Sequence, residues 1–404
     1  MKTDLIANLT ANGAVFGANE TFWGYQRENG QVGARNHLAI IPASVCAAVT
    51  AARIAAIVKG AVAIPNQHGC CQVGADFQQT KRTLIGLGQN PNVGAALVIG
   101  LGCENIDAAE VAAAIAGAGK PTDYLVIQAC GGTLSATAEG ARRAALLARD
   151  LSACRRTPCP VSSLVLGVEC GASDFTSGLA SNPAVGFASD LLVQAGGVSM
   201  LSETTEFIGA EHILANRAVS PAVGQKLLAI VRNCEQRSLA ERVDLRGSQP
   251  TPGNIAGGLT SIEEKSLGCV HKAGAAPIQD VLSYAEAPAG KGLFVMDTPG
   301  QDVDSVTGMT AGGATIILFT TGLGTPTGSP LAPVLKISGN ADTCVKMKDN
   351  IDIDVSAIIR GESSIVESGQ EIFWEMLRAA SGRFTKAESL GHCEFGIYKT
   401  GPTF

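Results

Sequence analysis

Short β-branched runs alternate with alanine-rich windows of helical length along most of this chain. Predicted strands at 37–42, 61–66 and 95–101 are each followed by such a window, and the alternation continues through strands at 124–129, 163–168 and 198–201. A strand, helix, strand rhythm is typical of parallel sheets whose connections are helices. We therefore expect an α/β fold with parallel sheets covered by helices.

A polar, irregular stretch at 235–258 interrupts this series, and new strands are predicted at 292–297, 314–319 and 334–338, before a helix at 367–381. Proline, glycine and serine in such a stretch favour a boundary. We expect an N-terminal tail at 1–21, a first α/β domain at 22–240 with glycine- and cysteine-rich strand-end loops, and a second α/β domain at 241–404 that completes the site.

Charge and hydropathy exclude several classes of partner. Thirty Lys and Arg against 36 Asp and Glu give a net charge of −6, so the chain has no basic field for nucleic acid. No apolar run approaches the roughly 20 residues of a membrane span. The first twenty residues lack an apolar signal region, and the twelve cysteines follow no secreted-domain framework, so we expect a cytoplasmic protein with reduced thiols.

Polar side chains and glycines follow five successive predicted strands. Ligands of parallel sheets bind outside the carboxyl ends of the strands, so these side chains are expected to converge there. A single turn of this kind is commonly an ordinary strand-to-helix connection, whereas the set together predicts a ligand site. The segments are 66–71, 100–104, 128–133 and 167–174, followed by Ser202, Glu203 and Glu206.

A metal site is the sharpest hypothesis for these strand ends. Their donors suit Fe(II), Mn(II) or Zn(II), although no Cys-x-x-Cys pair defines a ligand set. An iron–sulfur cluster on Cys70, Cys103 and Cys170 is an alternative, without the regular ferredoxin spacing. The predicted metal ligands are Cys103, Glu104, Glu169, Cys170, His68 and Cys70.

The second unit adds candidate catalytic and substrate-binding residues. Glu264 and Lys265 could be a solvated helix start, or Lys265 could be a base that removes a proton α to a carboxylate, with Glu264 as its electrostatic partner. The candidate substrate contacts are Asn254, Thr320, Thr321, Ser173 and Asp174. Phosphate-binding, dinucleotide-binding and serine-hydrolase glycine motifs are missing from the sequence.

Several ordered motifs together resemble the altronate/galactarate dehydratase family in its large-subunit form. They are Gly24-Tyr25-Gln26-Arg27, Gly33-Ala34-Arg35-Asn36, Gly100-Leu101-Gly102-Cys103-Glu104, Glu169-Cys170-Gly171-Ala172-Ser173-Asp174, Glu263-Glu264-Lys265-Ser266-Leu267-Gly268 and Phe319-Thr320-Thr321-Gly322. The resemblance runs from about residue 22 to Glu394-Phe395. It implies an α/β lyase that forms a 2-keto acid from a small hydroxy acid, assisted by a divalent metal, Fe(II) or Mn(II).

The resemblance leaves the substrate open. Sugar-acid dehydratases of the altronate type expel water, giving a 2-keto-3-deoxy acid, and this is the expected activity. The alternative is sulfolactate sulfo-lyase, whose large subunit is similar and which releases sulfite and pyruvate. Leu323 stands where several sugar-acid dehydratases are expected to carry arginine, and Ala172 replaces a common glycine. A non-catalytic binding subunit is a third interpretation.

The resemblance also implies a partner. Single-chain members carry a small N-terminal SAF domain, and only about twenty residues precede Gly24-Tyr25 here. We expect a separate SAF-domain subunit of roughly 100 residues to complete the enzyme, in an oligomer of heterodimers, and the isolated chain to have little activity.

Overall fold

The structure, a computed structural model, describes residues 20–404, so nearly all of the predicted tail at 1–21 lies outside the described residues. Its strands form a three-stranded, a four-stranded and a seven-stranded sheet. The strands are β1 Thr21–Gln26, β2 Val32–Gly33, β3 His37–Pro42, β4 Ala61–Ala63, β5 Val93–Gly100, β6 Thr122–Val126, β7 Thr157–Pro160, β8 Val165–Gly171, β9 Val198–Leu201, β10 Ile278–Leu282, β11 Gly292–Met296, β12 Ile316–Thr321, β13 Val334–Ser338 and β14 Ile353–Asp354.

Helices connect the parallel strands, which confirms the predicted α/β class. The helices are α1 Val45–Ile57, α2 Gly74–Gln89, α3 Ala108–Ala116, α4 Thr133–Leu151, α5 Asn182–Gln194, α6 Glu211–Ala215, α7 Pro221–Ala240, α8 Leu245–Ser248, α9 Pro252–Ala256, α10 Ile262–Cys269, α11 Asp302–Ala311, α12 Ala341–Lys346, α13 Ile365–Ala380 and α14 Lys386–Leu390. Among the described residues, no helix has the length and apolar character that a membrane crossing requires.

The four-stranded sheet has the order β4-β3-β5-β6, and all of its pairs are parallel. Every residue of β5 is buried, as expected for a central strand covered by helices on both faces. The connection from β3 leads outward to β4, and the connection from β5 leads outward to β6 on the other side. The two diverge between β3 and β5, the kind of position at which open parallel sheets bind ligands.

The seven-stranded sheet has the order β10-β11-β9-β8-β12-β13-β14 and is also parallel throughout. It takes β8 and β9 from before residue 240 and five strands from after it. The predicted boundary near residue 240 therefore lies inside the chain segment that joins β9 to β10, and the two parallel sheets separate between β6 and β8. The polar stretch that suggested a boundary contains α8 and α9, which pack over the carboxyl edge of this sheet.

The three-stranded sheet is antiparallel and was not predicted. β1 pairs with β2 and with β7, which begins at Thr157, far along the chain. Next to it, Arg35 forms an ion pair of 2.7 Å with Glu388 and donates to the carbonyls of Ala379 and Arg383. This arginine ties the start of the four-stranded sheet to the C-terminal helices.

Candidate active site

A cavity of ≈ 390 Å³ opens at the carboxyl edge of the seven-stranded sheet. Its wall is made by the ends of β8 and β9, the start of α11, and helices α8 to α10 that cross over this edge. The lining residues that carry chemistry are Cys170, Ser173, Glu206, Asn254, Lys265 and Asp302. This is the place where a parallel sheet binds its ligand.

Lys265 and Glu206 form an ion pair in the wall of this cavity. Lys265 Nζ lies 2.7 Å from Glu206 Oε1, and the two side chains are 12% and 8% exposed. Burial alone would lower the pKa of Lys265, but the Glu206 carboxylate outweighs it and raises that pKa. Burial also raises the pKa of Glu206. Both groups therefore hold protons more firmly than they would in water.

Glu264, the predicted electrostatic partner of Lys265, has a different role in the structure. Ser261 caps α10 by accepting the N–H of Glu264, and the Glu264 carboxylate accepts the N–H and hydroxyl of Thr260. These hydrogen bonds from Thr260 lower the pKa of Glu264. Glu264 stabilises the start of the helix, and Glu206 is the carboxylate that pairs with Lys265.

Asp302 is a third proton-carrying group in the cavity. It begins α11, after β11, and its carboxylate packs against the backbone of Gly171, where a Cβ would lie 2.3 Å from Oδ2. Burial, together with the negative charges of Glu203 and Glu206, raises the pKa of Asp302 to about 7. The group can therefore both release and take up a proton near neutral pH.

Two thiols and a carboxylate meet beneath the cavity. The side-chain donor atoms of Cys170, Glu203 and Cys269 all lie within 4.8 Å of one another, and all three residues are buried. Cys269 reaches this position because it follows Lys265 by four residues on α10, so both side chains share one face of the helix. The hydrogen bond from Cys170 to Cys269, followed by burial, raises the pKa of the Cys170 thiol.

Lys272 fixes the direction of the Glu203 carboxylate. Lys272 and Glu203 form an ion pair in which both side chains are 0% exposed. Oxygen Oε2 of Glu203 accepts from Lys272 and from the N–H of Cys170, while Oε1 lies 3.7 Å from the Cys170 sulfur. Glu203 also has a positive φ of 71°, a strained conformation of the kind that clusters at functional sites.

This trio fits a divalent metal ion. Two soft thiolates and one carboxylate oxygen match the preferences of Fe(II), Mn(II) and Zn(II), and metal binding would deprotonate the thiols. Oε1 of Glu203 accepts from the Cys170 thiol at 3.7 Å, while Lys272 donates to the other oxygen. Of the six predicted metal ligands, only Cys170 belongs to the trio.

Glu169 lies one residue before Cys170 and faces the sheet interior. It is fully buried, and Oε2 accepts from Ser202 at 2.9 Å and from Ser305 at 2.6 Å. Burial, followed by the charge of Glu203, raises the pKa of Glu169 well above its ordinary value. Its Oε1 atom has no hydrogen-bond partner among the described residues. Glu169 is thus held by the two serines, and it is not part of the trio of close donor atoms.

The predicted substrate contacts fall into two groups. Ser173 and Asn254 line the cavity, although the Asn254 amide also donates to the Ser173 carbonyl at 2.8 Å. Asp174 accepts from Thr176, Ser177 and Asn340. Thr320 donates to Asn182, and Thr321 accepts the N–H of Gly324, both fully buried. Asp174, Thr320 and Thr321 hold the surrounding loops.

The remaining predicted metal ligands belong to the other sheet. His68 and Cys70 follow β4, and Cys103 and Glu104 follow β5. His68 contacts the Ile397 carbonyl at 3.2 Å, and both oxygens of Glu104 accept backbone N–H groups of its own loop. Within the described residues, none of these four joins the trio as a group of close donor atoms, and both thiols follow strands of the four-stranded sheet.

Sequence reasoning missed three functional candidates, Cys269, Lys272 as the partner of Glu203, and Asp302. The helical period on α10 could have indicated Cys269, and the rule of strand ends could have indicated Asp302. Glu203 and Glu206 were among the strand-end residues but received no role. Their partners lie about 60 or more residues away, which no local pattern indicates.

Acid–base groups of this kind at the open end of a parallel sheet mark the chain as an α/β enzyme. Two family models match it: "D-galactarate dehydratase/Altronate hydrolase, second domain" over residues 24–152, and "D-galactarate/Altronate dehydratase, C-terminal" over residues 161–403. The chain belongs to the galactarate/altronate dehydratase family, and it is an enzyme of the lyase class.

Curated relatives extend this finding. The subunit beta of (2R)-sulfolactate sulfo-lyase from Chromohalobacter salexigens is 40% identical over 377 residues, which are 93% of this chain and 96% of that protein. Altronate dehydratase of Bacillus subtilis is 34% identical over 95% of this chain and 79% of its own length. Galactarate dehydratase (L-threo-forming) of Escherichia coli is 34% identical over 95% of this chain and 77% of its own length.

Proposed function

We propose that this chain is the large, catalytic subunit of a two-subunit lyase that eliminates sulfite from (2R)-sulfolactate and leaves pyruvate. The match to a sulfo-lyase subunit beta carries the proposal, because it covers 93% of this chain and 96% of that subunit. The name "subunit beta" implies a second subunit. The dehydratase relatives extend beyond the match by about a fifth of their length, which is room for the roughly 100 residues that we assign to a separate SAF-domain partner.

The Lys265–Glu206 pair removes the proton from the substrate carbon that carries the carboxylate. In the resting pair Lys265 is protonated, so the group that can take up another proton is the Glu206 carboxylate, whose Oε2 has no hydrogen-bond partner among residues 20–404. The raised pKa of Glu206 favours this uptake. The Lys265 ammonium then lies beside the negative charge that develops on the substrate. In this proposal Glu206 takes up the proton and Lys265 stabilises the charge, whereas the sequence predicted Lys265 as the base with Glu264 as its electrostatic partner.

Asp302 is placed to return a proton later in the reaction. Loss of the β-substituent leaves an enol, which becomes a 2-keto acid when its terminal carbon gains a proton. Asp302 lines the same cavity as Lys265, and burial raises its pKa to about 7, so protonated and ionised forms are both available at neutral pH. The cavity volume of ≈ 390 Å³ accommodates a hydroxy acid of three to six carbons.

We assign a divalent metal ion, Fe(II) or Mn(II), to Cys170, Glu203 and Cys269. When bound, it would supply positive charge that stabilises the deprotonated acid. The grouping of three donor atoms within 4.8 Å supports this assignment. Cys170 also lines the cavity, so the metal site and the proton-transfer pair share one wall.

A second candidate function is dehydration of a sugar acid of the altronate type, to a 2-keto-3-deoxy acid. The two family models and the dehydratase relatives favour it. Leu323 favours the smaller substrate, since a Cβ on Gly253, next to the cavity residue Asn254, would lie 3.8 Å from Leu323 Cδ1, and leucine offers no charge to a second carboxylate or hydroxyl group.

The test is a parallel assay of the complete enzyme. The chain is co-expressed with the small protein encoded beside it, loaded anaerobically with Fe(II), and given sulfolactate, altronate and galactarate separately. Sulfite and pyruvate from sulfolactate support the proposal, whereas a keto-deoxy acid from altronate or galactarate selects the dehydratase. Full turnover by the isolated chain would contradict the two-subunit assignment.

A further inference from the structure

Glu203 takes a backbone conformation that glutamate rarely adopts. It lies two residues beyond the end of β9, and its φ of 71° and ψ of 67° fall in the left-handed region. A residue with a Cβ is strained there, and the strain persists only where the surrounding contacts impose it. The same residue carries the carboxylate of the trio. The contacts that impose this conformation therefore also place a candidate metal donor.

Thr298, which follows β11, supplies these contacts. Its hydroxyl oxygen accepts the N–H of Glu203 at 2.7 Å, and its carbonyl accepts the N–H of Thr204 at 3.0 Å. A third hydrogen bond joins the same two segments, since the Thr204 hydroxyl donates to Asp297 at 2.6 Å. The regular pairing of β9 with β11 ends two residues before Glu203. These three hydrogen bonds take the place of the ladder where Glu203 leaves the extended conformation.

A directional chain of hydrogen bonds fixes the Thr298 hydroxyl. Ser305, on α11, gives its one hydroxyl hydrogen to Oε2 of Glu169 at 2.6 Å. The hydroxyl oxygens of Ser305 and Thr298 lie 3.0 Å apart, and Thr298 is the donor in this contact because the Ser305 hydrogen is already in use. A lone pair of the Thr298 oxygen then remains for the N–H of Glu203. The chain runs from Glu203 through Thr298 and Ser305 to Glu169.

Every member of this chain is buried. Thr298 is 2% exposed, and Glu169, Glu203 and Ser305 are 0% exposed. Water therefore has no access to replace a lost partner, and removal of the Thr298 hydroxyl would leave a buried N–H without an acceptor. Linked hydrogen bonds in such an interior also polarise one another, so the acceptor at the end of the chain strengthens the bond at its start. Glu169 is this terminal acceptor.

We propose that Thr298 is a positioning residue: its hydroxyl, oriented through Ser305, holds the metal donor Glu203 in its strained conformation. With its backbone held, Glu203 keeps a carboxylate oxygen within 4.8 Å of both cysteine sulfurs of the trio. Without the hydroxyl, the backbone can relax and the carboxylate leaves that position. The inference rests on the metal site assigned under the proposed function, and it is independent of the substrate.

The test compares Thr298→Val with Thr298→Ser and with a matched control, Thr310→Val. Valine has nearly the shape of threonine but no hydroxyl, whereas serine keeps the hydroxyl. Thr310 is also buried and lies on α11, but its hydroxyl donates to the Val306 carbonyl within that helix. Each folded variant of the full chain is titrated anaerobically with Fe(II) against a competing chelator. We expect T298V to bind Fe(II) at least about tenfold more weakly than the wild type, and T298S and T310V to stay within about threefold.

Hydrogen–deuterium exchange of the metal-free full chain gives a readout that needs neither metal nor substrate. The peptide spanning residues 201–207 should exchange faster in T298V than in the wild type, and at the wild-type rate in T298S and T310V. Ser305→Ala removes the acceptor of the Thr298 hydroxyl and leaves Thr298 in place, so it serves if T298V does not fold. It should weaken Fe(II) binding by at least about threefold.

Three results would overturn the proposal. They are unchanged exchange in T298V, Fe(II) binding by T298V as tight as that of the wild type, and a loss of affinity in T310V as large as that in T298V. A wild type that binds no Fe(II) would remove the metal assignment and with it this role of Thr298. Failure of the lyase assay alone would leave both readouts unchanged, so the proposed reaction and the role of Thr298 are tested separately.

Discussion

Lys272 and the N–H of Cys170 both donate to one oxygen of Glu203, and the second oxygen accepts from the Cys170 thiol. Both side chains of the Lys272–Glu203 ion pair are 0% exposed. Folding therefore removes two charges from water, which costs free energy. Such a cost is reasonable where a carboxylate must be held in one orientation. The pair therefore connects stability with the geometry of the candidate metal site.

Replacement of Lys272 by methionine should destabilise the protein by roughly 3–5 kcal/mol, because it leaves the Glu203 carboxylate buried without a counter-charge. Denaturant unfolding monitored by circular dichroism measures the change. The control K226M removes an exposed ion pair with Asp280 and should cost about 1 kcal/mol or less. Equal, small effects in the two variants would mean that the buried pair contributes no more than a surface pair.

Lys265→Met and Glu206→Gln should each lower kcat by roughly 10²–10⁴-fold in the complete enzyme, since either change removes proton uptake by the pair. Steady-state assay of the folded variants measures this. Glu264→Gln is the matched control: its carboxylate bonds Thr260 at the helix start, so activity should stay within a few-fold of wild type. A larger loss in E264Q than in E206Q would return the catalytic role to Glu264.

Cys269→Ser should weaken binding of Fe(II) at the catalytic cavity by at least about tenfold, because serine is a harder and much less acidic ligand than cysteine. Anaerobic titration with a competing chelator gives the affinity. Cys344→Ser, which changes a partly buried cysteine outside the trio, should bind Fe(II) as the wild type does. Unchanged affinity in C269S would remove this residue from the ligand set.

Lys120 should make stability depend on pH. Burial lowers the pKa of Lys120 to about 6, and its amine donates to the carbonyls of Asn90 and Val93. Between this value and the ordinary lysine value, the folded chain binds fewer protons than the unfolded chain, so the free energy of unfolding rises with pH. From pH 6 to 9 the rise approaches a few kcal/mol, at about 1.4 kcal/mol per pH unit.

The measurement compares urea unfolding of the wild type and K120M across this pH range. The variant lacks the titrating amine, so its free energy of unfolding should rise less steeply with pH, by about 1.4 kcal/mol per pH unit. Parallel plots of the free energy of unfolding against pH would show that Lys120 remains charged in the folded protein.

Strand positions could be predicted well because buried parallel strands are short β-branched runs between helices. The predicted strands at 37–42, 198–201 and 334–338 coincide with β3, β9 and β13. The pairing of β1 with β7 joins segments more than 100 residues apart, and neither segment has a distinctive pattern of its own. The sequence also does not indicate which strands share a sheet. The boundary predicted near residue 240 therefore falls between strands of one sheet.

The candidate site could be predicted as a location more readily than as a set of partners. The rule of strand ends collected Cys170, Glu203 and Glu206, which the structure places at the ends of β8 and β9, since local sequence indicates where a strand stops. It could not distinguish the edges of two sheets, so thiols from both were combined in one metal group. Glu264 was predicted as the partner of Lys265 because it adjoins Lys265 in sequence, whereas the side chains of adjacent helical residues point in different directions.

The interleaving of β8 and β9 with later strands has a consequence for dividing this protein into pieces. A polypeptide stopped at residue 240 would leave β8 without β12 and β9 without β11, exposing unpaired backbone along both strands. A cut between residues 126 and 157 would instead leave each parallel sheet whole, with β1 and β7 available to rejoin the halves. Split-protein complementation should therefore succeed at the second position and give aggregates at the first.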